Sequence, residues 1–279
     1  MEENQTTETT EAVQHEPIVS ESGSFDFDLK EKPKSSSFYT KSTAYKFMLI
    51  FGIAFMCFTF IFQVWLKPIK VVGSSMQPTI NASITSEADE THCDIVYYNQ
   101  ADSYSSDEIV IVKNNDYKYV PKSDFQDVKY LIKRVIACPG ETITFLLTDE
   151  TLSPFQKTYF YDIIVKDKNG NTKNIDDSYL KEEMKFSNTE FIEIGNIFPF
   201  YNQIFENLVN TSLPLEERQY TYTIPENSYF VMGDNRNSSE DSRYFGVVSY
   251  EDISGSVKLH VEYGQNLWEA VWIKLKSII

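Results

Sequence analysis

Cysteine is scarce in this chain of 279 residues, which holds only Cys57, Cys93 and Cys138. Three scattered thiols exclude a disulfide framework and the paired ligand spacing of a structural zinc site. They read as small apolar residues, with a Cys93–Cys138 bridge left open if that part of the chain lies in an oxidising compartment. Histidine is as rare, at His15, His92 and His260, and none of the three sits in a recognisable catalytic motif. Basic residues are also short, 25 against 41 acidic, for a net charge of -16. A phosphate backbone requires a basic footprint, so nucleic acid is excluded as a partner. Glycine and proline, 10 of each, are few beside 18 Tyr and 20 Phe, a balance that favours ordered, strand-rich structure. There is no internal repeat and no motif for a metal or organic cofactor, so none is expected.

What is present begins with a tail. Residues 1–44 open on MEENQTTETTEAVQHEPIVSESGS, rich in Glu, Thr and Ser and without apolar periodicity, which predicts a disordered acidic segment. The anchor read over residues 45–66 contains, from Phe47 to Leu66, FMLIFGIAFMCFTFIFQVWL, uncharged and apolar on every face, long enough to cross the roughly 30 Å hydrocarbon layer as a helix. The tail before it is too long, and the span too extended, for a cleaved signal peptide, and no small-x-small site precedes Lys67. The span is therefore expected to stay as an anchor. Lys30, Lys32, Lys34, Lys41 and Lys46 precede it, against Lys67 and Lys70 close behind, so the tail is expected in the cytoplasm and residues 67–279 outside, at a cell membrane. Acidic residues still dominate beyond the span, and charge alone will not hold that part on anionic lipid.

Short runs rich in Val, Ile, Tyr and Phe follow: DIVYYN, EIVIVKN, KYLIKRVIA, ETITFLL, KTYFYDIIVKD, FIEIGNIF, YTYTI, SYFVMGD and SVKLHVEYG. Turn signals such as Pro139-Gly140 and Asn169-Gly170 separate them, a pattern of strands and hairpins. The expected fold class is mainly β behind one N-terminal transmembrane helix, with residues 67–145 and 222–264 forming one β domain and 146–221 an inserted cap. The end, 265–279, places Leu267, Val271, Leu275 and Ile278 at helical spacing beside Trp268 and Trp272. This amphipathic helix is too short to span, and both an interfacial position in the lipid bilayer and packing on the β core are open to it.

Three segments carry chemistry. VVGSSMQPTI, residues 71–80, is a strand running into a turn, where a serine is ordinarily a capping or hydrogen-bonding group. In KYLIKRVIACPGETI, residues 129–143, a Lys-Arg pair interrupts an apolar strand. Alternation puts Lys133 on a face with Leu131 and Val135, and Arg134 with Ile132 and Ile136. Either both side chains snorkel from a half-exposed strand, or one lysine is desolvated enough to act as a neutral base. In SYFVMGDNRNSSEDSRYFG, residues 228–246, a strand ends at Gly233 and a dense, charge-balanced loop follows, more than a plain hairpin needs.

These boxes, in this order behind an anchor, resemble the type I signal peptidases of bacteria. The family's serine box reads G-x-S-M-x-P-T-[LI], its lysine box K-R-V-I-[GA]-x-P-G-[DE] with apolar residues before it, and its last box G-D-N-R-x-x-S-x-D-S-R-x-[FW]-G. The resemblance implies Ser75 as nucleophile, Lys133 as general base, and Ser239 as the hydroxyl that orients the lysine amine. It also implies Asp241 and Arg243 as an ion pair behind the dyad, with CDIVYY as a further box carrying Asp94. Residues 45–145 and 222–260 carry the likeness; in 146–221 only IDDSYLKEEM is familiar. Cys93 and Ala137 stand where glycines are common in the family. Gly73 stands where some members place a hydroxyl in the oxyanion hole, so the second donor here must be backbone or water.

By that resemblance the chain is a membrane-bound serine endopeptidase that removes signal peptides from exported preproteins, with the secretion translocon as a further partner. Substrate recognition would be β-augmentation on residues 69–75 and 130–133, with Met76, Tyr130, Leu131 and Ile132 at the substrate. A Ser–Lys dyad needs no histidine, and a Ser-His-Asp arrangement on His92 or His260 is the competing catalytic reading. Two other readings are a Ser/Lys protease related to self-cleaving repressors, which lack the last box, and a membrane-tethered binding protein that has lost catalysis.

Overall fold

The structure is a computed structural model that describes residues 36–277, apart from 84–90, 122–127, 154–155, 174, 176–177, 179, 181 and 188–197. The tail up to residue 35 and most of the FIEIGNIF run lie outside the described residues. Two units are distinguished, residues 1–55 and 56–279. Helix α1, Ser36–Trp65, is 30 residues long, about 45 Å at 1.5 Å per residue. It takes in residues 36–44, which the sequence reading gave to the tail: Pro33 is the last helix breaker before it, and helical hydrogen bonds extend past the end of the apolar stretch. Within it Thr43–Phe60 has a mean hydropathy of 1.6 and is long and apolar enough to cross a membrane.

The second unit is mainly β. Its larger sheet contains β1 (Lys67–Lys70), β2 (Ile95–Asn99), β3 (Ile109–Lys113), β4 (Tyr130–Ala137), β10 (Ser228–Met232), β11 (Val248–Ser249) and β12 (Ile253–Val261), in the order β1-β2-β12-β3-β4-β10-β11. The chain's last strand thus lies in the interior of this sheet, antiparallel to both β2 and β3. The smaller sheet is built from β5 (Thr142–Leu152), β6 (Lys157–Lys166), β7 (Thr172–Lys173), β8 (Lys185–Ser187) and β9 (Gln219–Thr223), with β5 between β6 and β9. Along β5, Ile143, Phe145 and Leu147 are buried and the residues between them are not, the period of two that a one-sided strand requires.

The segment read as a cap from 146 to 221 is therefore wider, since its outer strands begin at Thr142 and end at Thr223. Nor does it have a core of its own. Ile143, Phe145, Tyr161 and Phe186 pack in one cluster with Ile136 and Ala137 of β4 and Phe230 and Met232 of β10. Helix α2, Pro199–Leu208, was not expected. Its Tyr201, Ile204, Phe205 and Leu208 turn inward at helical spacing, a period masked in sequence by the β-favouring aromatics around it. After the short helix α3, Ser242–Phe245, the chain ends in α4, Leu267–Lys276, whose Asn266 and Glu269 form a reciprocal capping box. Leu267, Ala270 and Val271 pack on Leu259 and Val261 of β12, so the core-packed reading holds for one face. The other leaves Trp268 and Trp272 exposed. Cys93 and Cys138 form no disulfide.

Candidate active site

Ser75 sits in a turn that its neighbours pin from below. Gln77 N–H donates to Ser74 O at 3.0 Å and Ile80 N–H to Met76 O at 2.9 Å, while Met76 and Ile80 are buried against Val71, Val96 and Ile111. Ser75 itself is half-buried. The same packing corrects one expectation: Met76 is 2% exposed and is a core residue with no side-chain surface for a substrate. Leu131 is likewise buried, in the cluster that holds Val135 and Val231. Of the four side chains expected at the substrate, Tyr130 is exposed and Ile132 half-buried.

Lys133 does not snorkel. It shares the buried face of β4 with Leu131 and Val135 and is 3% exposed. Its Nζ lies 3.1 Å from Ser239 Oγ. Burial, which disfavours the ammonium, pushes its pKa down to about 8; the Asp241 carboxylate opposes that effect and the Arg243 guanidinium adds to it. Arg134, the next residue, points elsewhere and is bidentate to Asp234, Nε to Oδ1 at 2.8 Å and Nη2 to Oδ2 at 2.6 Å, with Nη1 on Asp107 O at 2.9 Å. One strand therefore carries two adjacent cations in different roles, one paired with a carboxylate and one held by a hydroxyl.

The loop after β10 is the scaffold that brings serine and lysine strands together. Asn235 N–H donates to Ser75 O at 3.0 Å and Asn235 Nδ2 to Ser74 O at 3.2 Å, which ties the loop to the serine turn. Gly233 packs so closely that a Cβ there would collide with both Ser75 O and Ser239 Oγ. Behind it the Asp241 carboxylate accepts from Gly233 N–H at 3.0 Å and, bidentately, from Arg243 Nε and Nη2, each at 2.8 Å. Arg243 also donates to Tyr161 OH at 2.8 Å and to Arg236 O at 2.5 Å. Both ions are fully buried. Burial works against the charge of Asp241, but Arg243 holds its carboxyl below the usual carboxylate range. Burial likewise opposes the Arg243 charge, and Asp241 raises its pKa despite it.

The fold thus gathers Lys133, Ser239, Asp241 and Arg243 and joins Ser75 to them through Gly233 and Asn235. His260 belongs elsewhere: its Nε2 lies 2.7 Å from Asp94 Oδ2. The sequence reading passed over Gly233, Asn235 and the Arg134–Asp234 pair, although each lies inside a box it had singled out. Tyr161 it missed outright, because a tyrosine in an ordinary strand of the insert carries no signal that it will reach Arg243. Among the described residues no group of three or more His, Cys, Asp or Glu side chains converges as metal ligands. The arrangement is suited to acyl transfer by a hydroxyl nucleophile with an amine base.

Comparison with known proteins points the same way. A family model described as signal peptidase, peptidase S26, matches residues 44–262. Signal peptidase I of Buchnera aphidicola subsp. Acyrthosiphon pisum is 26% identical over 267 residues, covering 85% of this chain and 79% of that one. Signal peptidase I of Streptococcus pneumoniae serotype 4 is 25% identical over 202 residues, 69% and 80% of the two chains. Signal peptidase I P of Bacillus subtilis subsp. natto is 27% identical over 235 residues, 82% and 92%.

Proposed function

From the premise that this chain belongs to the signal peptidase family, peptidase S26, we infer that it is a serine endopeptidase that removes signal peptides from preproteins, with Ser75 as nucleophile and Lys133 as general base. The observation that carries the dyad is a lysine amine that is buried, held by a hydroxyl and brought to a pKa of about 8, against the same loop that grips the serine turn. Neutral Lys133 takes the Ser75 proton as Oγ attacks the scissile carbonyl. The tetrahedral intermediate collapses, the ammonium protonates the departing amine of the mature protein, and the signal peptide stays esterified to Ser75. Lys133, neutral again, activates the water that hydrolyses the ester. Ser239 fixes the direction of the amine throughout.

The substrate pairs as an added strand with residues 130–133. In β4 these residues are paired on one side with β3, from Ile109↔Arg134 to Lys113↔Tyr130. On the other side β10 reaches only to Met232, opposite Arg134. No described strand occupies that edge beyond it, and a peptide in extended form completes it. The test is cleavage of an exported preprotein in detergent. Wild type is expected to cut after a small-x-small site and Ser75→Ala to lose at least about four orders of magnitude in rate. Cutting by Ser75→Ala at the wild-type rate would displace Ser75 as nucleophile; a wild type inert toward several preproteins would favour the tethered binding protein.

We place the chain in a cell membrane by a single span within α1, its tail cytoplasmic and residues 67–279 on the far side, where preproteins emerge from the secretion translocon. The lysines flanking the span favour this orientation. Protease added to sealed, right-side-out membranes should therefore digest residues 67–279 and spare the tail. Digestion of the tail alone would reverse the topology.

A further inference from the structure

The cap is pinned to the loop after β10 by a side chain that no box requires. Asn237 falls on one of the unspecified positions of the last box, yet its amide bonds at both atoms. Oδ1 accepts from Lys185 N–H at 3.1 Å, where β8 begins, and Nδ2 donates to Glu183 O at 2.9 Å and to Glu182 Oε2 at 3.3 Å. One amide thus stands in for a strand neighbour and holds residues 182–185 against the loop. Beside this clamp lies a cavity of about 300 Å³, lined in part by Gln77 and Pro78 of the serine turn, Asn235 and Ser238 of the loop, and Leu180 and Glu182 of the cap. That volume is at the lower end of the range for ligand pockets and suits a side chain or two of an extended peptide.

The cavity lies beyond the dyad from the free edge of β4. A peptide paired with residues 130–133 carries its signal part along 130–132 and its scissile carbonyl at Ser75 and Lys133, so the chain after the cut runs on past Lys133. There β10 takes the edge, with Met232 opposite Arg134, and after Met232 it turns off into the loop that walls the cavity. Charge sets the chemistry of the lining. Asp234 is engaged by Arg134, and Arg236 is buried, with Nη1 3.5 Å from Met184 Sδ. Glu182 is exposed, its side chain 64% accessible. Lys185 holds its carboxyl below the usual range, but that pair is exposed on both sides and weak in water. Among the described residues both bonds to Glu182 fall on Oε2, which leaves Oε1 for a ligand.

We propose that this cavity is a subsite for the first one or two side chains of the mature protein, and that Glu182, brought there by the Asn237 clamp, makes it select a cationic side chain over an anionic one. The inference rests on the assignment of Ser75 as nucleophile and on the pairing of the substrate with residues 130–133. The insert then has a task in the reaction: it reads the chain on the leaving side of the cut, where the strand edge of β4 is already taken.

The test compares a preprotein carrying lysine at both of the first two positions after the cut with one carrying glutamate there, in detergent, so that translocation does not enter. Wild type should cleave the lysine form with about fivefold higher kcat/KM, the scale of an exposed charge pair, and the preference should fade in about 1 M salt. Glu182→Gln should bring the ratio to within about twofold of one, and Glu182→Lys should invert it. Because the side chain is exposed, neither variant disturbs the core. A wild type indifferent to the exchange, or one ratio shared by all three proteins, would overturn the proposal. Failure of the underlying assignment shows separately, as cleavage of either substrate that survives Ser75→Ala.

Discussion

Replacing Lys133 with methionine should end preprotein cleavage, at a cost of about four orders of magnitude or more, and at the same time make the protein more stable at pH 7. The two effects have one cause. Lys133 Nζ is buried with a hydroxyl 3.1 Å away, while the nearby Asp241 carboxylate is already engaged by Arg243 and Gly233. At pH 7, one unit below a pKa of about 8, only about a tenth of the lysine is neutral, so most folded molecules bury a charge without a dedicated counterion. Methionine fills similar space without that charge, although it leaves Ser239 Oγ without its partner. We expect a net gain of about 2 kcal/mol.

The sign with pH follows from linkage. The folded-state pKa lies below the unfolded value of 10.5, so between about 8 and 10.5 the unfolded chain binds more protons, and wild-type stability rises with pH through that window. The advantage of Lys133→Met should be constant below about pH 8 and shrink toward pH 10.5. Denaturant unfolding of both proteins at pH 7 and pH 10 reads this directly; an advantage that does not diminish at pH 10 would mean that burial of the charge is not its source. The same pKa predicts that kcat/KM of the wild type climbs along an acid limb centred near pH 8.

Gly233→Ala should be nearly as damaging to activity through an entirely steric route. A Cβ at this position would lie 2.6 Å from Ser239 Cβ and closer still to Ser239 Oγ and to the carbonyl oxygen of Ser75. One collision partner is backbone and the other is the group that holds the lysine amine, so neither yields without moving a part of the dyad's support. Displacements of the order of 1 Å in such a site cost about a hundredfold, and two together are expected to lower kcat/KM by about a thousandfold. Overpacking at a tight contact also costs about 1–3 kcal/mol of stability. Kinetics and thermal unfolding of the same preparation separate the two, and activity within tenfold of wild type would show that the contact relaxes without moving either serine.

Much of this was legible in the chain. Alternating residues such as Ile143, Phe145 and Leu147 marked strand character, and the uncharged run after Lys46 marked a helix long and apolar enough to cross a membrane. The resemblance of the boxes to the family's singled out Lys133, Ser239, Asp241 and Arg243, whose side chains the fold brings together. Contacts between distant segments were not legible. Nothing near Tyr161 says that it will meet Arg243, and nothing near Asn81 says that its buried amide will donate to Val71 O and Gly73 O. Met76 misled for a related reason: a residue beside a nucleophile is read as facing substrate, whereas here its burial anchors the turn. The cap boundaries failed because composition does not mark where one sheet hands over to another when both share Ile136 and Phe230 in a single core.

The interior place of β12 in its sheet has a consequence for how the enzyme comes into being. Synthesis runs from the N-terminus, so β1 and β2 on one side and β3, β4, β10 and β11 on the other are complete before β12 exists. Until residues 253–261 arrive, no strand joins β2 to β3, and only the loop after β10 and side chains such as Ile111 connect the two pieces. The serine turn belongs to one piece and the lysine strand to the other, and long-range pairing of this kind forms late and cooperatively. The serine turn and the lysine strand thus share one continuous backbone ladder only once β12 has paired with both β2 and β3.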